Sequence, residues 1–87
     1  MEHWEELAPG GLRLLWDDAL FPPGTDSFLL SALPRLRPGL RVCDLGCGTG
    51  LVGFLLLQRR RDLSLTGVDR EGRAIALARR CAAENRL

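Results

Sequence analysis

The sequence predicts an α/β fold built on a parallel pair of strands in the order β-α-β-α, and three observations carry that expectation. Residues 40–45 are rich in apolar side chains and bounded by Pro38-Gly39 before and Gly46 after, as in a strand buried on both faces. Three glycines, Gly46, Gly48 and Gly50, then lead straight into the apolar run 51–57. A second strand-like run at 63–68 ends at Asp69 and is followed by a segment with helical spacing. Short connections between alternating strands and helices give a right-handed parallel unit.

The remaining elements follow in chain order. Residues 1–8 are expected as a short helix, stopped by Pro9-Gly10-Gly11. Leu12-Arg13-Leu14-Leu15-Trp16 reads as a strand, with helix as the alternative its mixed periodicity leaves open. Phe21-Pro22-Pro23-Gly24 is a loop by composition, and Thr25 or Asp26 is placed to cap a helix carrying Phe28, Leu29, Ala32 and Leu33. Pro34 and Pro38-Gly39 end that helix. Residues 51–61 form the next one, with Arg59, Arg60 and Arg61 complementing the dipole at its last turn. Over 71–87 the stripe Ala74, Leu77, Ala78, Cys81 and Ala82 faces a sheet, opposite Arg73, Arg79, Arg80 and Glu84. The chain thus divides into a leading segment, 1–39, and a β-α-β-α unit, 40–87.

Eighty-seven residues, 46% hydrophobic and 26% charged, describe one small domain or a piece of a larger one. The formal charge of +1 conceals an asymmetry, because residues 1–34 hold six acids against Arg13 alone and residues 35–87 hold eleven arginines against five acids. Such a bias suits an acidic partner such as RNA, although solvated helix faces carry arginine for ordinary reasons. Cys43, Cys47 and Cys81 are odd in number and do not follow zinc spacing, and His3 is the single histidine, so no metal is expected. The longest apolar run falls far short of the roughly 20 residues that cross a bilayer. A reduced, cytoplasmic setting without membrane attachment is the simplest expectation.

The glycine loop carries the chemistry. At the end of a parallel strand the backbone must turn into a helix while approaching a ligand closely, and glycine removes the side chains that obstruct both. Amides at the following helix N-terminus offer donors to an anionic group. Asp69, nineteen residues after Gly50, is placed at the neighbouring strand end to accept hydrogen bonds from ribose hydroxyls. Gly48-Thr49-Gly50-Leu51-Val52-Gly53 also satisfies the dinucleotide pattern Gly-x-Gly-x-x-Gly. Asp44 weighs against that alternative, because a carboxylate there suits a cation, such as the ammonium of S-adenosylmethionine (SAM), and repels a pyrophosphate. Gly53 is accounted for by close helix-to-sheet packing.

Val42-Cys43-Asp44-Leu45-Gly46-Cys47-Gly48-Thr49-Gly50 resembles motif I of class I SAM-dependent methyltransferases, whose fold is Rossmann-like, and Gly67-Val68-Asp69 resembles the acid-bearing strand after it. The resemblance implies that residues 46–50 contact the methionyl part of the cofactor, that Asp44 holds its amino group and Asp69 its ribose, and that Arg70 adjoins the adenine. Phe21-Pro22-Pro23-Gly24-Thr25-Asp26-Ser27-Phe28-Leu29-Leu30 is similar to the segment before motif I in bacterial tRNA adenine-N6 methyltransferases of the small-domain type. It implies secondary cofactor contacts at Gly24, Thr25 and Asp26, with an ordinary loop and helix cap as the alternative. The resemblance covers the opening portion of that fold. An Asn- or Asp-Pro-Pro-aromatic loop, which amino-methylating members use to hold the acceptor nitrogen, does not occur in these residues, and no catalytic residue is assigned. The expectation is therefore a methyltransferase portion acting, in a complete protein, on an adenine amine of tRNA by direct displacement at the SAM methyl carbon, with little turnover by this chain alone. An oxidoreductase fragment binding NAD(P) and a non-catalytic scaffold are the alternatives. The first strand has a partner on one side only, so its free edge is expected to promote association.

Overall fold

A computed structural model describes residues 1–20 and 24–87, so the predicted loop at Phe21, Pro22 and Pro23 lies outside the described residues. The element order is β1 (Glu2–Glu6), β2 (Arg13–Asp17), α1 (Thr25–Ala32), β3 (Arg41–Leu45), α2 (Leu51–Arg59), β4 (Ser64–Val68) and α3 (Gly72–Glu84). Strands β3 and β4 pair in parallel, Arg41 opposite Ser64 through Leu45 opposite Val68, with α2 as the crossover. The predicted β-α-β-α unit is present in that order.

Residues 1–8 depart from the expected helix. Glu2–Glu6 is a strand, paired antiparallel with β2 from Glu2 opposite Asp17 to Glu6 opposite Arg13. Glutamate-rich segments favour helix intrinsically, but pairing and cross-strand contacts override so short a preference. His3 lies opposite Trp16 and stacks on it with ring centroids 4.4 Å apart, while the Arg13 guanidinium sits 5.0 Å from the Trp4 ring centre. Of the two possibilities for residues 12–16, the strand is the one formed.

A single hydrophobic cluster joins this hairpin to the rest. Leu12, Leu14 and Leu15 pack with Leu51, Phe54, Leu55, Leu56 and Leu57 of α2, with Leu63, and with Leu77 and Cys81 of α3. The apolar run of α2 is buried on nearly every side, as its composition requires. At Gly53 a Cβ would come within 2.7 Å of a Leu65 methyl, so glycine lets α2 lie close on β4. On α3, Ala74, Leu77 and Cys81 of the predicted stripe are buried.

Side-chain amides tie β2 to the helices. The Leu12 amide donates to Gln58 Oε1 at 2.6 Å, the Arg13 amide donates to Asn85 Oδ1 at 2.8 Å, and Asn85 Nδ2 donates back to the Arg13 carbonyl at 2.7 Å. The Asn85 carboxamide thus pairs with the β2 backbone as a neighbouring strand would. The basic triplet is likewise absorbed by structure. Arg59 donates to the carbonyls of Ser31 and Pro34 at 2.7 and 2.9 Å, Arg60 pairs with Asp62 at 2.7 Å, and Arg61 donates to the Asn85 carbonyl at 2.8 Å. Arg59 therefore satisfies carbonyls around the C-terminus of α1 in addition to lying at that of α2.

Two further expectations are corrected. Gly24, not Thr25 or Asp26, occupies the N-cap of α1, and no side chain caps it. Strand β3 is covered on one face only: Arg41, Cys43 and Leu45 are exposed, because the face they share carries no layer among the described residues.

Candidate functional site

The loop between β3 and α2 is built from three left-handed glycines, Gly46, Gly48 and Gly50, with φ of 72°, 56° and 91°. Side chains rarely adopt that conformation, so the local path needs glycine at each. The amides of Gly46 and Cys47 both donate to the Val68 carbonyl, at 2.7 and 3.0 Å, which fastens the loop to the end of β4. Beyond the adjoining residues of the chain, no heavy atom of the described residues lies within 4 Å of where a Cβ would stand on Gly46 or Gly48, leaving bare backbone facing open space. Gly50 is the N-cap of α2, whose first-turn amides have no intrahelical acceptors.

Asp69 joins the two strand ends. Its Oδ2 accepts from the Gly48 amide at 2.8 Å and its Oδ1 from the Glu71 amide at 2.8 Å. The Glu71 and Gly48 bonds, in that order, hold its carboxyl below the usual range. Each oxygen keeps a further lone pair for a hydroxyl donor. Asp44 is placed differently: the residue is half-buried, and its carboxylate makes no hydrogen bond or ion pair among the described residues. Burial, followed by the nearby Asp69 charge, pushes its carboxyl up. Burial, then Asp44 and Asp69, push the Cys47 thiol up as well, which disfavours the thiolate and any nucleophilic role.

Two hollows flank the loop. The larger, about 630 Å³, is lined by Gly48 and Thr49 of the loop, by Asp69, Arg70, Glu71 and Ala74 from the end of β4 into α3, and by Ala19 and Leu20 after β2. The smaller, about 380 Å³, lies between α2 and α3 and is bordered by Asp44, Cys47, Gly50 and Gly67. The predicted residues are thereby divided. Gly48, Thr49, Asp69 and Arg70 share the larger hollow, Asp44, Cys47 and Gly50 border the smaller, and Gly46, Gly24, Thr25 and Asp26 line neither. Ala19, Leu20, Glu71 and Ala74 were absent from the sequence-derived set. Glu71 and Ala74 follow Asp69 closely enough to be found by helical spacing, whereas Ala19 and Leu20 arrive through docking of the hairpin.

A parallel strand, a glycine turn held against the next strand end and an acid bridging the two describe a nucleotide-binding half-site without choosing the chemistry. Comparison with known sequences makes that choice, because the profile of the methyltransferase small domain matches residues 21–87. The chain belongs to the methyltransferase small domain family. Among curated relatives of this methyltransferase domain, the tRNA1(Val) (adenine(37)-N6)-methyltransferase of Dickeya chrysanthemi is 38% identical over 67% of the chain and 25% of its own length. The release factor glutamine methyltransferase of Salmonella typhimurium is 40% identical over 83% of the chain and 29% of its length. The ribosomal RNA small subunit methyltransferase C of Pasteurella multocida is 42% identical over 74% of the chain and 19% of its length. The domain therefore spans less than a third of each of these relatives, and their substrates differ: a tRNA, a protein and a ribosomal RNA. No helix among the described residues is long and apolar enough to cross a membrane, and no group of three or more His, Cys, Asp or Glu is placed to hold a metal ion.

Proposed function

We propose that this methyltransferase domain binds SAM across the β3–α2 loop, with Asp69 receiving the ribose hydroxyls, Arg70 beside the adenine and residues 46–50 along the methionyl part. The observation that carries this is the Asp69 carboxylate, which takes the Gly48 amide on one oxygen and the Glu71 amide on the other and so stands ionised beside an open hollow. Asp44 fits the same ligand: a half-buried carboxylate with no cation of its own gains most from an ammonium group. Bare backbone at Gly46 and Gly48 leaves room for close approach. Gly24, Thr25 and Asp26 are assigned as secondary contacts on the resemblance of their segment. When bound, SAM supplies an electrophilic methyl group. The residues here bind and orient it, and positioning is the main source of rate in such a transfer.

The acceptor we propose is an adenine amine in tRNA, supported by the likeness to the tRNA methyltransferase and by the similarity of residues 21–30 to the segment preceding motif I in that group. A glutamine side chain in a release factor is the second reading, favoured by the greater share of the chain that matches the release factor enzyme. Calorimetric titration of the 87-residue chain should show SAM binding, and Asp69→Ala should weaken it roughly ten- to a hundredfold, the value of a hydrogen bond to a charged group. A folded chain that binds neither SAM nor S-adenosylhomocysteine at millimolar concentration, or that prefers NAD, would sink the cofactor assignment. Deleting the encoding gene should remove N6-methyladenosine from tRNA; loss of methylglutamine from a release factor instead would establish the second reading.

A further inference from the structure

Resting on the SAM reading above, we infer that the turn leaving the amino-terminal hairpin is the outer wall of the cofactor cleft, with Leu20 as the apolar surface against which the adenosine part lies. A nucleoside presents two chemistries, a hydroxyl edge on the ribose and an apolar face on the base. The larger hollow offers both. Asp69 lines it, and Leu20, which lines the same hollow, is the one large apolar side chain among the described lining residues, the others being small, polar or charged.

The wall is built rather than draped. Asp17 Oδ1 accepts from the Ala19 amide at 2.9 Å and the Asp17 carbonyl from the Leu20 amide at 2.9 Å, closing a tight turn. Asp18 Oδ1 lies 2.9 Å from His3 Nε2, so the turn is also held to β1. Strand β1 is anchored in turn to α3, where Arg80 donates to both oxygens of Glu2 at 2.7 and 3.0 Å. Leu20 further borders a small hollow lined also by Leu77 and Arg73 of α3, so it lines both that space and the larger hollow. Through this chain of contacts Asp17 acts as a positioning residue for the cofactor.

The test is titration of the 87-residue chain with S-adenosylhomocysteine and, separately, with adenosine, with thermal melts to verify folding. Leu20→Ala should weaken both ligands by the same factor of roughly ten, as expected for losing apolar contact with a ring, while Leu20→Met stays near the parent. Leu20→Thr gives the same readout should the alanine variant melt early. Asp17→Ala should weaken adenosine in the same direction, and Asp17→Asn, whose oxygen can still accept from Ala19, should restore it. Unchanged affinity in Leu20→Ala, with Asp69→Ala still weakened, overturns the wall and leaves the SAM reading intact. Loss of S-adenosylhomocysteine binding with adenosine unaffected also overturns it, since Leu20 would then face the amino-acid end. Absence of binding by the parent chain overturns both.

Discussion

Asp44 and Asp69 are two carboxylates at adjacent strand ends whose environments push them in opposite directions. Backbone amides of Glu71 and Gly48 favour the charged form of Asp69, whereas burial and the Asp69 charge disfavour that of Asp44. For Asp44 the folded-state value is raised above the unfolded one, so its stabilising contribution is complete below the unfolded pKa and is lost as pH rises through the folded one. Asp44→Asn should therefore melt at or above the parent temperature at neutral pH, with the advantage shrinking as pH falls through the carboxylate range. The same variant should bind SAM more weakly. Thermal melts across that range check the first part, and an asparagine variant less stable than the parent at neutral pH would refute the stated environment. Asp69 behaves conversely, contributing stability above its unfolded pKa that disappears as pH falls through the lowered folded value. Both acids were legible in the sequence, Asp44 because it stands two residues before the glycine turn and Asp69 because it closes the next strand, nineteen residues after Gly50. Leu20 was not: only hairpin docking brings it near Asp69, and no local pattern encodes that approach.

At the level of elements, the parallel pair and its two helices were legible because apolar runs, glycine punctuation and helical spacing agreed with one another. Strand β1 was misread because its glutamates suit a helix and its pairing with β2 is a tertiary choice. The triplet at the end of α2 shows a related limit. Its position suggested a dipole role, but the carbonyls that Arg59 serves are those of Ser31 in α1 and Pro34 just beyond it, 28 and 25 residues earlier. Helix α1 has only Ser31 buried and its Leu29, Leu30 and Leu33 exposed, so it relies on such contacts. Arg59→Met should leave the helix but remove both donors. Amide hydrogen exchange in residues 29–33 is expected to quicken by roughly tenfold, in line with about 1.5 kcal/mol for a charge-assisted bond, while β3 and β4 stay protected. Uniform acceleration across the chain would show instead that Arg59 supports the whole fold.

At the scale of the whole molecule, one face of the β3–β4 pair carries no layer among the described residues, with Leu45 79% and Val68 49% exposed in register beside each other. The edge of β3 away from β4, unpaired among the described residues, was expected from the strand order; the bare face was not, since residues 40–45 read as a strand covered on both sides. An apolar face beside an unpaired edge favours self-association. The 87-residue chain should sediment as a concentration-dependent mixture, and Leu45→Glu should shift it towards monomer; a parent chain monomeric at several hundred micromolar would contradict this. The carboxamide of Asn85 has a different kind of importance, for it holds Arg13 from 72 positions away. Closing so long a loop is entropically costly before any contact repays it. The β1–β2 hairpin pairs within residues 2–17, whereas its docking draws on α2 through Gln58 and the apolar cluster, on Leu77 and Cys81 of α3, and on Asn85. A hairpin whose own pairing is local is thus held in place by partners far along the sequence, and the position of the turn that carries Leu20 depends on them.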